Sequence, residues 1–448
     1  MSSFSFDYFR GKTIGFFGLG KSNTDILSRL PSNCNVILRS DVRIDDLPFT
    51  KAHIKSVHSE REAFEHPQEN ILIFSPSVRR NRAEFNSFKK KGVKFTSDCE
   101  LFFENAQAPI FAVSGSDGKS TVSTLAAMLL SERFIGTIPI GNIGVPMLSS
   151  LDGNRQAYVT ELSSFMLSYG KYRVFRGVIT NINENHLDWH DSFEEYAEKK
   201  LSLFNRSEEA VLNADDPILA KRFINTSPWA VTSSRLSFRE LKKLFRAQAF
   251  YTWEDGCIKR NGESLIRLEE IKRREQHNIQ NLIFALALTD GYTSRENIVN
   301  VASKFGGLEH RCELFLTKDG MDFINSSVDS TPIRTARTLE SLDRQVIVIL
   351  GGRSKKLSYQ PLKEALKKWA KRAIICGECA DEIEEAVKGS CPITREDNPE
   401  SAAICAKKFM ESGDTLLLSP ASTSFDRYKS YEQRGKIFKE VIHSVWGY

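Results

Sequence analysis

Residues 109–130, PIFAVSGSDGKSTVSTLAAMLL, pass from an apolar strand through a glycine turn into a helix. A unit of this kind belongs in a parallel sheet whose strands alternate with helices. The turn ends in Gly118-Lys119-Ser120-Thr121. Glycines allow backbone N–H groups to face phosphate oxygens, and the helix start adds its positive dipole end. Lys119 supplies a point charge, and Ser120 or Thr121 offers a hydroxyl to Mg²⁺. Val113 stands where the longer GxxxxGK[ST] spacing has its first glycine, but the strand before and the helix after supply the same mechanics. We therefore read Gly115, Ser116, Asp117, Gly118, Lys119, Ser120 and Thr121 as an ATP-binding loop. A triphosphate repels the Asp117 carboxylate, so that side chain is expected to bond local backbone and stabilise the turn.

The same rhythm recurs on either side. Near the start, Thr13 to Phe17 is an apolar strand that meets Gly18-Leu19-Gly20, and NVILRS and ILIFSPS follow as further strands. Asn23 stands where a dinucleotide fingerprint has its last glycine, so this turn is either a diphosphate site or a tight strand-to-helix connection. From Ala106 the strands PIFAVSG, QAYVTEL, RGVITNI and EEAVLNA alternate with helical stretches, notably FEEYAEKKLSLF and HNIQNLIFALALTD. Between Asp215 and Arg273 the pattern turns polar, and WAVTSS, AFYTWEDG and CIKRNGESL are expected as short antiparallel pieces. From Arg311 the strands MDFINSS, QVIVILGG, KRAIICGE and DTLLLSP each end in small or polar residues, as ligand-binding strand ends often do. The expectation is an α/β chain of three domains: 1–105, 106–310 and 311–448. The first and last are Rossmann-like; the central one is a P-loop-type ATPase domain with a mostly parallel sheet and a small antiparallel part.

Length supports that division, since 448 residues exceed one simple core. The net charge of +5, from 62 basic and 57 acidic side chains, permits an anionic substrate and makes no case for nucleic acid. No apolar run reaches the ~18 residues of a membrane helix. The start, MSSFSFDYFRGKT, shows no signal-peptide pattern. Eight scattered cysteines fit a reducing cytoplasm, and Cys376-Gly-Glu-Cys379 is read as two partly buried thiols rather than a zinc or redox pair.

Three polar clusters accompany the phosphate loop. Gly141-Asn142-Ile143-Gly144 is a polar turn; Glu161 closes a strand before Leu162-Ser163-Ser164-Phe165; and Asn183 to Asp188, with His186, follows the strand VITNI. A carboxylate, hydroxyls and an imidazole at neighbouring strand ends suit Mg²⁺ beside phosphate. Taken alone, His186 is equally well a structural histidine.

The segments SGSDGKST, GNIG, ELSSF, NENHLDWH, SFEEYAEKKLSLF, HNIQN, GLEHR, the Gly351-Gly352 pair with Lys355, and SPASTSFDRYKSYEQRG resemble the Mur ligases in order and separation over nearly the whole chain. Within that family, ELSSF and the terminal SFDRYKSYEQRG resemble the D-glutamate-adding branch. The resemblance implies an ATP-dependent amide ligase joining D-glutamate to UDP-N-acetylmuramoyl-L-alanine through an acyl phosphate. It would act in peptidoglycan precursor synthesis, and so in cell-wall biogenesis, cell shape and division. It would be a cytoplasmic monomer with small-molecule substrates and no membrane or nucleic-acid partner.

By the same resemblance, Lys119 holds the β/γ-phosphates, Thr121 and Glu161 bind one Mg²⁺, and His186 binds or adjoins a second. Lys200 corresponds to a lysine that reacts with CO₂ to give a carbamate and so becomes a metal ligand; spacing alone reads it as an exposed helix lysine. Asn278 and Asn281 fall on the adenine side, and Arg311 reaches ATP phosphate across the domain boundary. Asn142, Ser163 and Ser164 contact the sugar-peptide substrate, while Gly18, Leu19, Gly20, Ser22, Ser40, Asp41 and Ser75 hold its uridine diphosphate. Ser330, Lys355, Ser424, Phe425 and Tyr431 receive the amino acid, Tyr431 standing in place of a phenylalanine.

Three stretches depart from the family pattern, one of them SPSV at 75–78 where SPGI is common. Ser326-Ser327-Val328-Asp329-Ser330-Thr331 replaces DSKATN, losing an aspartate at Ser326 and a lysine at Val328. The phosphate loop has Ser116-Asp117 for threonine and asparagine. The changes at 326–331 touch the acceptor side. They leave open a related ligase using another amine such as L-glutamate, and a nucleotide-binding regulator without turnover.

Overall fold

The strand-and-helix alternation resolves into three sheets in the computed structural model, which describes residues 4–39, 49–59, 62–153, 155–170, 172–184, 186, 189–223, 226–355 and 357–447. The first sheet contains β1 (Thr13–Phe17), β2 (Asn35–Arg39), β3 (His53–His58), β4 (Ile71–Phe74) and β5 (Lys94–Thr96), in the order β3-β2-β1-β4-β5, with every pairing parallel. The second contains β6 (Ile110–Ser114), β7 (Pro139–Gly141), β8 (Tyr158–Glu161), β9 (Val174–Ile179), β10 (Ser207–Asn213), β11 (Ala230–Ser233), β12 (Ala249–Glu254), β13 (Cys257–Arg260) and β14 (Glu263–Arg267). Its order is β14-β13-β12-β11-β10-β9-β6-β8-β7. The third contains β15 (Glu313–Lys318), β16 (Met321–Asn325), β17 (Val346–Gly351), β18 (Ala370–Cys376), β19 (Ile393–Arg395) and β20 (Thr415–Leu418), in the order β15-β16-β20-β17-β18-β19.

One expectation needs correction. The stretch between residues 215 and 273 is not uniformly antiparallel: β11 pairs parallel with both β10 and β12, and only β12-β13-β14 form an antiparallel ribbon. Polar sequence hid a buried continuation of the parallel sheet. Ala230, Val231, Thr232 and Ser233 are all buried, so the hydroxyls are inside the protein, where Thr232 Oγ1 donates to the Leu212 carbonyl.

Chain order puts a loop at a switch point in each of the first two sheets. β1 lies between β2 and β4, and β6 lies between β9 and β8, so the turns after β1 and β6 open where neighbouring connections diverge. The helix Lys119–Leu130, apolar on most sides, packs against the helix Gln276–Leu288. Val122, Leu125, Ala126, Leu129 and Leu130 are buried on the first, and Ile279, Leu282 and Ile283 on the second. Each large side chain so buried contributes roughly 1.5–3 kcal/mol, which fixes the helix start under the phosphate loop.

The chain forms two compact units, Met1–Phe305 with the first two sheets and Gly306–Tyr448 with the third. Within the first unit a polar seam joins the sheets. Asp98 accepts from the Met147 and Leu148 amides at 2.9 Å each, and Arg79 makes a two-pronged pair with Asp191. Trp189 Nε1 donates to the Ser77 carbonyl at 2.6 Å. No described helix is long and apolar enough to cross a membrane.

Candidate active site

Gly115 and Gly118 shape the loop after β6. Gly115 has φ +138°, and a Cβ there would lie 1.9 Å from Thr180 Oγ1; Gly118 has φ +79°, and its Cβ would lie 2.4 Å from Asn281 Oδ1. The loop is thus clasped between the segment after β9 and the helix Gln276–Leu288, an approach that only glycine permits. Lys119 starts the next helix, and its Nζ donates to the Ser116 carbonyl at 2.8 Å. Ser120 is buried in the first turn and Thr121 follows it, partly exposed.

Ser116 anchors this loop from below. Its hydroxyl donates to the Asn183 carbonyl, accepts from the Asn183 amide, both at 2.9 Å, and pairs with Tyr196 OH at 2.8 Å. The Asp117 side chain does not bond local backbone as expected: its Oδ2 accepts from Asn183 Nδ2 at 3.2 Å, while its amide donates to Asn181 Oδ1 at 2.9 Å. The parallel sheet brings the 180–183 segment alongside the loop, and those amide side chains outcompete any partner within the turn.

Glu161 ends β8, paired with Val113 of β6, so its carboxyl stands beside the phosphate loop. Oε1 accepts from Asn142 Nδ2 at 2.7 Å. Oε2 is buried and has no hydrogen-bond partner among the described residues. A buried carboxylate oxygen without a donor is costly unless a cation meets it. Among the described residues no group of three or more His, Cys, Asp or Glu gathers around a point, so an ion here would draw its remaining ligands from a hydroxyl, water and phosphate.

Lys200 is not an exposed helix lysine. It is only 2% exposed, near the end of the helix Phe193–Leu201, and its Nζ donates to the Gly115 carbonyl at 2.7 Å. Burial first, and then the Lys119 cation, hold its ammonium well below the usual lysine range, with Glu161 and Asp117 opposing. Lys199, beside it, is partly exposed. Tyr196 lies one turn earlier and reaches the same loop through Ser116; burial pushes its phenol up to about 12. Tyr196 was not among the expected site residues, although its i, i+4 spacing from Lys200 was the available signal.

His186 follows β9 with φ +54°, exposed, its ring edge-on to Phe165 at 4.9 Å between centroids. β8 and β9 both pair parallel with β6, so Glu161 at the end of β8 and the segment after β9 that carries His186 lie at the same end of the sheet. Asn185, Leu187 and Asp188 lie outside the described residues. His190 is buried and its Nε2 pairs with Ser164 Oγ at 2.9 Å; Ser163 Oγ accepts from the Met166 amide at 3.2 Å. These two serine hydroxyls thus order that end of the sheet.

Asn281 lies against Gly118, and Asn278, one turn nearer the helix start, donates to Glu275 Oε2 at 3.0 Å. At the first sheet, Asn23 Nδ2 donates to the Gly18 carbonyl at 2.7 Å, closing the turn where a third glycine is missing. Ser75 packs against Gly18 and Gly20, and Leu19 is partly exposed. The Ser22 hydroxyl is near enough to Asp98 to favour its charge, and Lys21 Nζ donates to the Gly144 carbonyl at 2.7 Å. Ser40 and Asp41 lie outside the described residues.

In the second unit, the loops after β16, β17 and β20 carry the remaining expected residues. Lys355 Nζ donates to Ser330 Oγ at 3.1 Å. Ser424 is buried, Phe425 is 60% exposed, and Tyr431 begins the helix Tyr431–Trp446. Burial, with Glu432 beside it, pushes the Tyr431 phenol up to about 12; Arg311, itself exposed, is near enough to oppose that rise. Arg434, 1% exposed, ties the loops together: it donates to Ser327 Oγ and to the carbonyls of Ser327, Ser422 and Thr423 at 2.9–3.1 Å. Burial lowers its guanidinium to about 10. Ser326 Oγ accepts from the Cys312 amide at 3.0 Å. Cys376 and Cys379 are both buried free thiols.

Comparison with known proteins follows this geometry. Residues 113–289 match the Mur ligase middle domain, and residues 310–422 match the Mur ligase, glutamate ligase domain. The chain is 34% identical over 400 residues to the UDP-N-acetylmuramoylalanine--D-glutamate ligase of Ruminiclostridium cellulolyticum, covering 84% of this chain and 83% of that one. It is 33% identical over 461 residues to the enzyme of the same name from Acetivibrio thermocellus, covering 97% of each. Among solved structures, the UDP-N-acetylmuramate-alanine ligase MurC of Thermotoga maritima superposes with a TM-score of 0.60 at 16% identity, over 97% of this chain and 99% of that one, a likeness of fold.

Proposed function

The chain belongs to the Mur ligase family, and from that premise we propose that it joins D-glutamate to UDP-N-acetylmuramoyl-L-alanine at the cost of ATP. The observation that carries the reading is the buried Oε2 of Glu161, without a hydrogen-bond partner among the described residues, beside a phosphate loop whose neighbours include Lys119 and Lys200. A nucleotide-binding scaffold has no need of an unmet carboxylate there; a site that gathers anions and a divalent ion does.

A carboxylate oxygen of the L-alanyl substrate attacks the γ-phosphorus, the bond to ADP breaks, and an acyl phosphate forms. The amine of D-glutamate then attacks the acyl carbon, loses a proton, and expels phosphate. Lys119 and the N–H groups of residues 115–121 hold the triphosphate, and Asn278 and Asn281 flank the adenine. Mg²⁺, when bound, offsets phosphate charge and makes the γ-phosphorus more electrophilic. Thr121, Glu161, His186 and a carbamate on Lys200 are the residues that would hold it, as two ions. A free Lys200 ammonium would repel that charge, whereas its carbamate carries the opposite sign.

Gly18, Leu19, Gly20, Ser22 and Ser75, with Asn142, Ser163 and Ser164, make up the nucleotide-sugar side. Ser330, Lys355, Ser424, Phe425 and Tyr431 make up the amino-acid side, and Arg311 serves ATP phosphate. Three domains, 1–105, 106–310 and 311–448, divide these tasks in a cytoplasmic monomer of peptidoglycan precursor synthesis.

The test is phosphate release from the full-length protein with ATP, Mg²⁺ and UDP-N-acetylmuramoyl-L-alanine, with D-glutamate, L-glutamate and other amines offered in turn. Release dependent on D-glutamate is expected. Release dependent on L-glutamate alone reassigns the acceptor, and no amine-dependent release makes the protein a regulator.

A further inference from the structure

Arg334 is the third residue of the helix Pro332–Leu342, which begins just after Ser330. Cations are unfavourable in the first turn of a helix, where the dipole is positive. Its side chain is exposed and makes no ion pair or hydrogen bond with the described residues. Asp329, five residues earlier, does not offset it: Asp329 is buried, with Oδ2 accepting from the hydroxyls of Thr338 and Ser419 at 2.8 Å each. Val328, in the same loop, offers no charge.

The position of Arg334 is set by its surroundings in the second unit. The Thr335 hydroxyl beside it donates to the Ser419 carbonyl at 3.2 Å, fixing the helix start to the end of β20. Ser330, four residues earlier, is bonded by Lys355 from the end of β17. Arg334 is near enough to Lys355 to disfavour its charge, after partial burial, and near enough to Tyr431 to oppose its rise. It therefore lies close to both Lys355 and Tyr431 of the acceptor cluster. Lys355 with the Ser330 hydroxyl is one anion-binding corner, and a planar guanidinium whose donors no described residue engages is a second, suited to a carboxylate by its fork geometry.

We propose that Arg334 is the specificity-determining cation of the acceptor site, receiving one carboxylate of an α-amino dicarboxylate while Lys355 and Ser330 receive the other. This rests on the ligase reading above and adds the reason why a dicarboxylic amino acid, rather than a neutral one, is accepted. A neutral side chain would leave the Arg334 charge without its counterpart.

The experiment measures amine-dependent phosphate release by the full-length protein at saturating ATP and UDP-N-acetylmuramoyl-L-alanine, with D-glutamate or its uncharged isostere D-glutamine. Wild type, Arg334→Gln and Arg334→Lys are compared. Arg334→Gln should raise KM for D-glutamate about 10- to 100-fold, keep kcat and the KM for ATP within about twofold of wild type, and erase most of the preference for D-glutamate over D-glutamine. Arg334→Lys should restore part of both effects. A purely structural role would instead lower kcat and the melting temperature in both variants, and that result overturns the proposal. So does an Arg334→Gln KM within twofold of wild type, or a wild type that prefers D-glutamine. Wild type without release for any amine overturns this proposal and the ligase reading together; D-glutamate-dependent release with an unchanged Arg334→Gln overturns this one alone.

Discussion

Lys200 shows what a single side chain commits the site to. Its amino group is buried against the Gly115 carbonyl, with Lys119 adding repulsion, so the charged form is disfavoured and the neutral amine, the form that can attack the carbon of CO₂, is favoured. In the proposed scheme that attack, with loss of a proton, gives a carbamate anion near Glu161. Lys200→Ala is expected to lower turnover by about 100-fold or more, with partial recovery on adding acetate or formate, measured as phosphate release. Turnover within a few-fold of wild type, or loss that no short carboxylate relieves, would remove the carbamate from the scheme. Nothing in the spacing of Lys199 and Lys200 distinguishes them. The distinction comes from the helix Phe193–Leu201, which directs residue 200 inward and leaves 199 partly exposed.

At the scale of the element, the strand–turn–helix around residues 110–130 was legible because three local signals agree: an apolar strand, glycines at φ values only they tolerate, and a helix start. The ends of β8 and β9 were legible for the same reason, and the sheet places Glu161 next to Val113 as a parallel order requires. What remained hidden depends on partners distant in sequence. Asp117 turns to Asn181 and Asn183 rather than to its own turn, and β11 is parallel because Ala230–Ser233 slots between β10 and β12. Tyr196 binds Ser116 across 80 positions of chain. The role of Arg434 likewise needs β16 and β20 side by side before the Ser327, Ser422 and Thr423 carbonyls come within its reach. Ser326, which stands where the family pattern has an aspartate, holds the Cys312 amide, a contact no local pattern announces.

At the scale of the molecule, the seam in the first unit carries a pH signature. Burial, reinforced by Asp25, raises Asp98 to about 6 despite the Leu148 and Met147 amides and the Ser22 hydroxyl that favour its charge. An acid whose folded value exceeds its unfolded one binds its proton more tightly when folded. Its contribution to stability is therefore full below about pH 4 and lost as pH rises through about 6, to the extent of about 3 kcal/mol. Asp98→Asn cannot ionise. The stability of wild type relative to this variant, from denaturant midpoints between pH 4 and pH 7, should fall by up to that amount as pH rises; a flat difference would contradict the assignment.

In the proposed scheme the chemistry of the whole molecule reduces to one event, the transfer of a phosphoryl group onto a substrate carboxylate at the site of Lys119, Glu161 and Lys200. It is followed most directly with UDP-N-acetylmuramoyl-L-alanine carrying ¹⁸O in its carboxylate, with ATP and D-glutamate, by mass spectrometry of the inorganic phosphate formed. An acyl phosphate leaves its bridging oxygen on the departing phosphate, so one ¹⁸O should appear there for each amide made. Amide formation with phosphate free of label would contradict the account.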